Sequence, residues 1–435
     1  MKMITQSASL LKSLRQEAVA LFREGVAAAN PEQAVAAALV KRRAMIEQAS
    51  RIVLVAFGKA ACPMAQAAMP FVRGRLLTAI ALTNHENLEP IDGVEVIAGG
   101  HPIPDEGSIA GAAAIEDAVS RAQDDDLVLV LVSGGGSALL CAPPAGVELA
   151  DKIALNNALI RCGADISEIN AVRPIFSRLK GGQMARLAGK ARVLSLILSD
   201  VPGDDIATIA SGPTAWPRNS ASRALEVLDK YGLWQNLPDA LKRRLEQMGA
   251  SPDATAIDFD NVENIVIGSN AISVRAVIGK AEAKFGSVFH ASDWLEGNVL
   301  DAAAELHRIA RIAAERNGPV AVVCGGETTV KVKGNGKGGR NQELAMCFAL
   351  LNELKPIDRQ WVFLSGGTDG LDGPTDAAGG IVDAGSPDWM RQLGHDPVCS
   401  LENNDSYHAL ACSGDLLITG ATGTNVADIQ IVLMR

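Results

Sequence analysis

Cys324-Gly-Gly-Glu-Thr-Thr-Val-Lys-Val-Lys-Gly-Asn-Gly-Lys-Gly-Gly-Arg-Asn-Gln-Glu-Leu344 is the stretch on which the reading of this chain turns. An apolar strand-like run meets a Gly-Gly turn, crosses a glycine-rich loop carrying Lys337 and Arg340, and leaves on a helix-like pattern. Glycine lets backbone N–H groups approach an anion closely, and a helix start adds favourable dipole charge. With two cations beside it, the loop points to phosphate, with Gly338 and Gly339 as its candidate contacts. Three other strand-like runs end in the same way: Val55-Ala-Phe-Gly-Lys-Ala60, Val132-Ser-Gly-Gly-Gly-Ser137 and Leu364-Ser-Gly-Gly-Thr-Asp369. Glycine turns repeated at strand exits describe a site for a nucleotide or phosphorylated ligand better than they describe a scaffold.

At 435 residues the expectation is two or three domains. Hydrophobic residues make up 48% and charged residues 21%, the balance of a globular protein. A net charge of −10 argues against nucleic acid, since no basic stripe can neutralise phosphates along a duplex. An anionic ligand must therefore be drawn in by local Lys and Arg. The longest apolar run, Leu344 to Leu351, is far short of the roughly 20 residues that span a membrane. Seven cysteines without Cys-x-x-Cys, and an N-terminus without a signal peptide's apolar centre, are expected of a reduced, cytoplasmic protein.

Residues 5–50 read as helical, with Leu10, Leu11, Leu14, Val19 and Leu21 at helical spacing and Pro31 as a break. Strand-like runs follow at Ile52–Phe57, Thr78–Thr83, Val94–Ala98, Leu127–Val132 and Val193–Leu198, with helices between them, including Ile109–Ala122. Near-continuous apolar strands separated by helices indicate parallel βαβ units covered on both faces. A boundary is read between Trp216 and Asp260, punctuated by Pro217, Pro238 and Pro252. Strands recur at Ile265–Ile267, Ser287–His290, Val320–Cys324, Thr329–Lys333, Trp361–Leu364, Leu416–Thr419 and Ile429–Leu433. Thr329–Lys333 alternates polar and apolar, so an antiparallel, half-exposed strand is expected there. The expected fold is α/β in two domains: an N-terminal three-layer, Rossmann-like domain with a mainly parallel sheet (1–240), and a C-terminal α/β domain with a mixed sheet (241–435). A cleft lined by strand-end loops is the expected site.

Lys59 follows the first strand in Phe57-Gly-Lys-Ala60. A cation at a helix start opposes the dipole, so a bound anion explains it better than a snorkelling surface lysine does. Gly58 forms that turn. Ser133, Gly134, Gly135, Gly136 and Ser137 supply consecutive N–H donors, although the motif is not a Walker loop. Leu198-Ser-Asp-Val-Pro-Gly-Asp-Asp205 places carboxylates at another strand end, where Asp200 suits Mg²⁺ and Asp205 suits a turn. Glu327 and Asp369 are further candidate metal ligands, each with a turn or cap as the plainer reading. Gly334-Asn-Gly-Lys-Gly-Gly339 matches Gly-x-Gly-x-x-Gly, but no acid ends the next strand to hold a ribose. His101, between Gly100 and Pro102, is read as structural.

The chain resembles the type-2 glycerate kinases, the MOFRL or tartrate-utilisation family, whose members have often been labelled hydroxypyruvate reductases. The resemblance runs nearly end to end, through Gly58-Lys-Ala60, Ser133-Gly-Gly-Gly-Ser-Ala-Leu-Leu140, Glu168-Ile-Asn-Ala-Val-Arg173 with Lys180-Gly-Gly182, and Leu198-Ser-Asp-Val-Pro-Gly-Asp204. It continues through Ser211-Gly-Pro-Thr214, Gly325-Gly-Glu-Thr-Thr329, Gly338-Gly-Arg-Asn-Gln-Glu-Leu344, Ser365-Gly-Gly-Thr-Asp-Gly370, Asn404-Asp-Ser-Tyr407 and Thr422-Gly-Thr-Asn-Val426. It implies two α/β domains, ATP and Mg²⁺, and transfer of the γ-phosphoryl to the 2-hydroxyl of D-glycerate. It also implies Lys59, Asp200 and Arg340 as catalytic residues. One departure stands out. Pro174-Ile-Phe-Ser177 occupies the place of the family's Lys-His-Leu-Ser, so Ile175 replaces a histidine and puts the preferred acid in question.

The expected function is thus a cytoplasmic kinase for D-glycerate or a related small 2-hydroxy acid. Phosphoryl transfer is mostly positioning and charge stabilisation, which glycine loops, Lys and Arg provide without a covalent nucleophile. Lys59 and Arg340 would neutralise the transferred phosphoryl, Asp200 would orient the hydroxyl or bind Mg²⁺, and Arg173 or Lys180 would hold the substrate carboxylate. The rivals are an NAD(P)H-dependent hydroxypyruvate reductase and a non-catalytic sensor of a sugar acid. No nucleic acid or membrane partner is expected, and the oligomeric state is left open, a homodimer included.

Overall fold

Successive residues of the buried strands face two different cores, and that alternation explains the architecture. The computed structural model describes residues 2–215, 221–249 and 259–435. Trp216, Pro217 and Pro252, read above as boundary punctuation, lie outside the described residues. The chain divides into two compact units, one made of residues 31–267 and the other of residues 1–30 with 268–435.

The first unit holds β1 (Ile52–Phe57), β2 (Leu76–Asn84), β3 (Glu95–Gly99), β4 (Leu127–Val132), β5 (Arg192–Ser199) and β6 (Val262–Ser269) in the order β3-β2-β1-β4-β5-β6. The pairs β1–β2, β1–β4, β2–β3 and β4–β5 are parallel. Val53, Val55, Val128, Val130 and Val193 pack into one core, and Ile52, Leu54, Leu129, Leu194 and Leu196 into the other. Helices therefore cover both faces, as the apolar runs predicted, and each such side chain contributes roughly 1.5–3 kcal/mol by burial. A satellite core gathers Leu155, Leu159, Phe176, Val227, Leu228 and Leu241 from helices outside the sheet layers.

The second unit adds β7 (Ser287–His290), β8 (Leu295–Asn298), β9 (Val320–Thr329), β10 (Trp361–Gly367), β11 (Gly379–Asp383), β12 (Leu416–Leu417) and β13 (Asp428–Met434). Its sheet runs β12-β11-β10-β13-β9-β7, with β8 beside β9. It is mixed, because β9 pairs parallel with β7 and β8 but antiparallel with β13.

The division differs from 1–240 and 241–435 at both ends. The helix Lys2–Ala28 buries Leu14, Ala18, Leu21 and Phe22 against Val323, Leu364 and Ile431, so it belongs to the C-terminal unit. Meanwhile β6 completes the N-terminal sheet and carries the boundary past residue 240. The expected strand Thr329–Lys333 does not form: β9 ends at Thr329, and the next residues bond to Asn404 instead. β8 and β11 were missed in the sequence, since Gly297 and the Gly379-Gly380 pair weaken the strand pattern.

Candidate active site

In a sheet of order 3-2-1-4-5-6, ligands bind outside the carboxyl ends of the strands where the order reverses, here between β1 and β4. Lys59 and the Ser133–Ser137 loop lie at that switch point. The Lys59 N–H donates to Gly134 O at 2.9 Å, and the Ala60 N–H donates to Ser133 Oγ at 3.0 Å. The two exits approach so closely that a Cβ on Gly58, whose φ is +118°, would lie 2.3 Å from Ser133 Oγ. Among the described residues, the N–H groups of Gly134 and Gly135 meet no acceptor, whereas the Gly136 N–H donates to Ser133 O at 3.3 Å. The helix that follows, Gly136–Leu139, has only four residues, so the free donors lie in the loop itself. Ser137 Oγ sits 3.0 Å from Ser211 Oγ.

Asp200, at the exit of β5, faces the same loop. Burial raises its pKa, partly offset by Lys59. A Cβ on Gly134 would lie 2.5 Å from Asp200 Oδ2. Gly134→Ala is therefore expected to push a side-chain tip aside without unfolding the chain. Its melting temperature should stay near wild type while kcat/KM falls about 10²-fold, because a displacement of about 1 Å can cost that much. Unchanged kinetics would show that the position of Asp200 is not critical.

Beside the loop lies a cavity of about 230 Å³, lined by Gly135, Ser137, Lys152, Asn156, Arg173, Lys180 and other residues, with no carboxylate among them. Lys180 is 3% exposed and donates to Ser137 O at 2.5 Å. Burial, with help from Lys152 and Arg173, holds its pKa well below the ordinary lysine value. Lys152 donates to Phe176 O at 2.7 Å, and burial lowers its pKa to about 8. The Arg173 Nε donates to Asn156 Oδ1 at 2.9 Å. Buried cations without a carboxylate partner call for an anion from outside. Arg173 and Lys180, offered as alternatives by the sequence, line one cavity, joined by Lys152, which an ordinary amphipathic helix gave no means of singling out. Ile175 is buried in the satellite core and is not among the residues lining the cavity.

The C-terminal candidates are arranged differently. Arg340 opens the helix Arg340–Leu354 and makes a two-pronged pair with Asp428, 2.6 Å to Oδ2 and 2.9 Å to Oδ1. Its Nη1 also pairs with Glu327 at 2.8 Å. Burial alone would lower the Arg340 pKa, but Asp428 and Glu327 raise it. The helix start already holds an anion. Asp372 accepts from the N–H of Gln342 at 2.9 Å and of Asn341 at 3.2 Å. Burial raises its pKa to about 6 despite those donors.

In the glycine-rich loop expected to cradle phosphate, the amides of residues 333–337 are engaged, whereas those of Gly338 and Gly339 meet no acceptor among the described residues. Lys333 and Gly334 N–H donate to Asn404 Oδ1, Gly336 N–H to Asn403 O and Lys337 N–H to Asp405 Oδ1. Gly338 and Gly339 press on Ser406 and Asp372, where a Cβ would fall 2.2 and 2.3 Å from their side chains. Asp369 Oδ1 accepts from Leu371 N–H at 3.0 Å, the plainer turn reading. Among the described residues, no three of His, Cys, Asp and Glu gather as a metal site. No described helix is long and apolar enough to cross a membrane.

A parallel sheet with a loop of free amides and buried cations at its carboxyl edge defines a doubly wound α/β protein built to hold an anionic ligand. Comparison with known proteins gives the family. A model described as a domain of unknown function, DUF4147, matches residues 17–246, and the MOFRL family model matches residues 320–428. The chain is 41% identical over 433 residues to D-glycerate 2-kinase of Thermotoga maritima, covering 97% of this chain and 99% of that protein. It is 37% identical to glycerate 2-kinase of Pyrococcus horikoshii, covering 97% of each. A crystal structure of glycerate kinase from Thermotoga maritima superposes with a TM-score of 0.89 at 39% identity, over 98% of this chain and 100% of that one. The chain belongs to the glycerate 2-kinase family.

Proposed function

We propose that the protein transfers the γ-phosphoryl of ATP to the 2-hydroxyl of D-glycerate. The observation that carries this reading is the cavity of Lys152, Arg173 and Lys180, which has no lining carboxylate and opens on the Ser133–Ser137 loop. A small acid seats its carboxylate on those cations, leaving its hydroxyl toward the loop. The N–H groups of Gly134 and Gly135, with Lys59, receive phosphoryl oxygens. Charge developing there meets donors already in place, the largest single source of rate enhancement in such sites. Arg340, held by Asp428, is the candidate catalytic cation of the C-terminal unit.

Asp200 fits Mg²⁺, because it is a desolvated hard-oxygen donor beside the phosphoryl cradle, and Mg²⁺ is bound through one or two carboxylates plus phosphate oxygens. When bound, the ion neutralises phosphate charge. Glu327 and Asp369 suit that task less, being engaged by Arg340 and by the Leu371 amide.

Purified protein is expected to form ADP with ATP and D-glycerate only when a divalent cation is present, measured in a coupled assay alongside a panel of C3 and C4 hydroxy acids. NADH oxidation with hydroxypyruvate, and no ADP with any acid, would replace the kinase with a reductase.

A further inference from the structure

His101 stands at the exit of β3, on the same sheet edge as Lys59, Ser133 and Asp200. Its imidazole lines the cation-walled cavity, as do Pro102 and Pro104. The segment is anchored just beyond, where Asp105 caps the helix Glu106–Ser120 by accepting from Ser108 N–H at 2.9 Å. The ring rests on Gly135 of the phosphoryl cradle. A Cβ there would lie 3.1 Å from His101 Nε2 and 3.3 Å from Lys59 Cγ, so any side chain at 135 would crowd both groups.

Two described histidines elsewhere are held by carboxylates: His85 by Asp105 at 2.8 Å and His408 by Asp405 at 2.6 Å. Among the described residues, His101 has no hydrogen-bond partner at either ring nitrogen, although it lines the cavity proposed for the acceptor.

We propose that His101 is the general base for phosphoryl transfer, taking the proton of the acceptor hydroxyl; this rests on the kinase reading above. The O–H bond breaks and its proton passes to a ring nitrogen. The hydroxyl oxygen bonds to the γ-phosphorus as the bond to the β–γ bridging oxygen breaks, and that electron pair leaves with ADP. The imidazolium then gives its proton to solvent.

The surrounding charges keep the ring in the form a base needs. Burial and Lys59 at the β1 exit lower its pKa, Glu86 at the β2 exit raises it, and the lowering prevails. Lys152, Arg173 and Lys180 face the same cavity and add positive charge. Asp200 faces the loop from Gly134 and remains available for the cation. The neutral imidazole is the active form, so activity is lost as pH falls through its lowered pKa, not as pH rises.

The test is the pH dependence of kcat and KM for D-glycerate, at saturating ATP and Mg²⁺, in wild type and H101Q. H101Q should lower kcat about 10²–10³-fold, the range of a general base, with KM within about threefold. The decline of kcat/KM toward acid pH, present in wild type, should vanish. In H101A, added imidazole should restore turnover in proportion to its neutral fraction. H101Q with near wild-type kcat, or with a reduced kcat that keeps the same acid limb, would make His101 structural. If H101Q folds poorly, the rescue decides, and H101A without rescue overturns the assignment. A wild-type protein that phosphorylates no acid would instead sink the kinase reading itself.

Discussion

Arg340→Ala should remove most of the activity and a large part of the stability of the C-terminal unit at once. The Asp428 carboxylate is 0% exposed, and both its oxygens are met by this one guanidinium. Breaking a buried pair by removing one partner leaves a charge that neither water nor another cation reaches, which costs about 3–5 kcal/mol. The exposed bond to Glu327 adds little, since such pairs are worth about 0–1 kcal/mol. With Arg340 as the proposed catalytic cation, kcat should fall at least about 10²-fold, because such a guanidinium acts mainly in the transition state. Arg340→Lys keeps one charge but loses the fork, so it should retain part of the stability and little of the rate.

Pairing the change with Asp428→Asn separates the two effects. The double variant R340A/D428N no longer carries a stranded charge and should regain much of the stability while remaining inactive, as a double-mutant cycle in denaturant would show. An R340A protein as stable as wild type would mean that Asp428 finds another partner. An R340K protein with near wild-type kcat would take Arg340 out of the chemistry.

What could be read in the sequence was whatever is carried by neighbours in the chain. Lys59 after Gly58, the Ser133–Ser137 turn and Asp200 after β5 are local patterns, and a parallel sheet must bring its strand ends to one edge. The start of the helix at Arg340 was equally visible, but its occupant was not. The anion there is Asp372, 31 residues beyond Asn341, and the partner of Arg340 is Asp428, 88 residues away. A cation at a helix start demands an anion without saying whether it is phosphate or a carboxylate from the same chain. The same ambiguity explains the glycine loop. Glycine at 338 and 339 signals a close approach, and here the approaching groups are Ser406 and Asp372. His101 carried the same strand-exit signal as Lys59, but a histidine between glycine and proline reads equally well as a turn. Lys152 had no local mark at all, because only the fold sets its helix against Arg173 and Lys180.

Lys180 is where binding and stability should part company. Its ammonium is buried beside two other cations and bonded to one carbonyl, which costs the empty protein energy. Lys180→Met keeps the length of the stem and removes the charge. The loss of the bond to Ser137 O, about 1 kcal/mol, opposes the relief of burying that charge, so stability at neutral pH should be unchanged or higher. Binding should suffer, since losing one partner of a buried, hydrogen-bonded charge pair costs about 2–5 kcal/mol. KM for the acid should therefore rise roughly 30-fold or more, at about 1.4 kcal/mol per factor of ten, with KM for ATP little changed.

The pH dependence carries an independent mark of the same residue. In the wild type, the folded Lys180 pKa lies below that of the unfolded chain, so over that interval the unfolded chain binds the extra proton. Stability then rises with pH there. K180M should lack that share of the slope and keep the share from Lys152, which begins above about pH 8. Acid affinity should weaken in the wild type as pH climbs through the same region, because the carboxylate loses a charged partner. A K180M protein that melts well below wild type, or that binds the acid as tightly, would place the substrate carboxylate elsewhere.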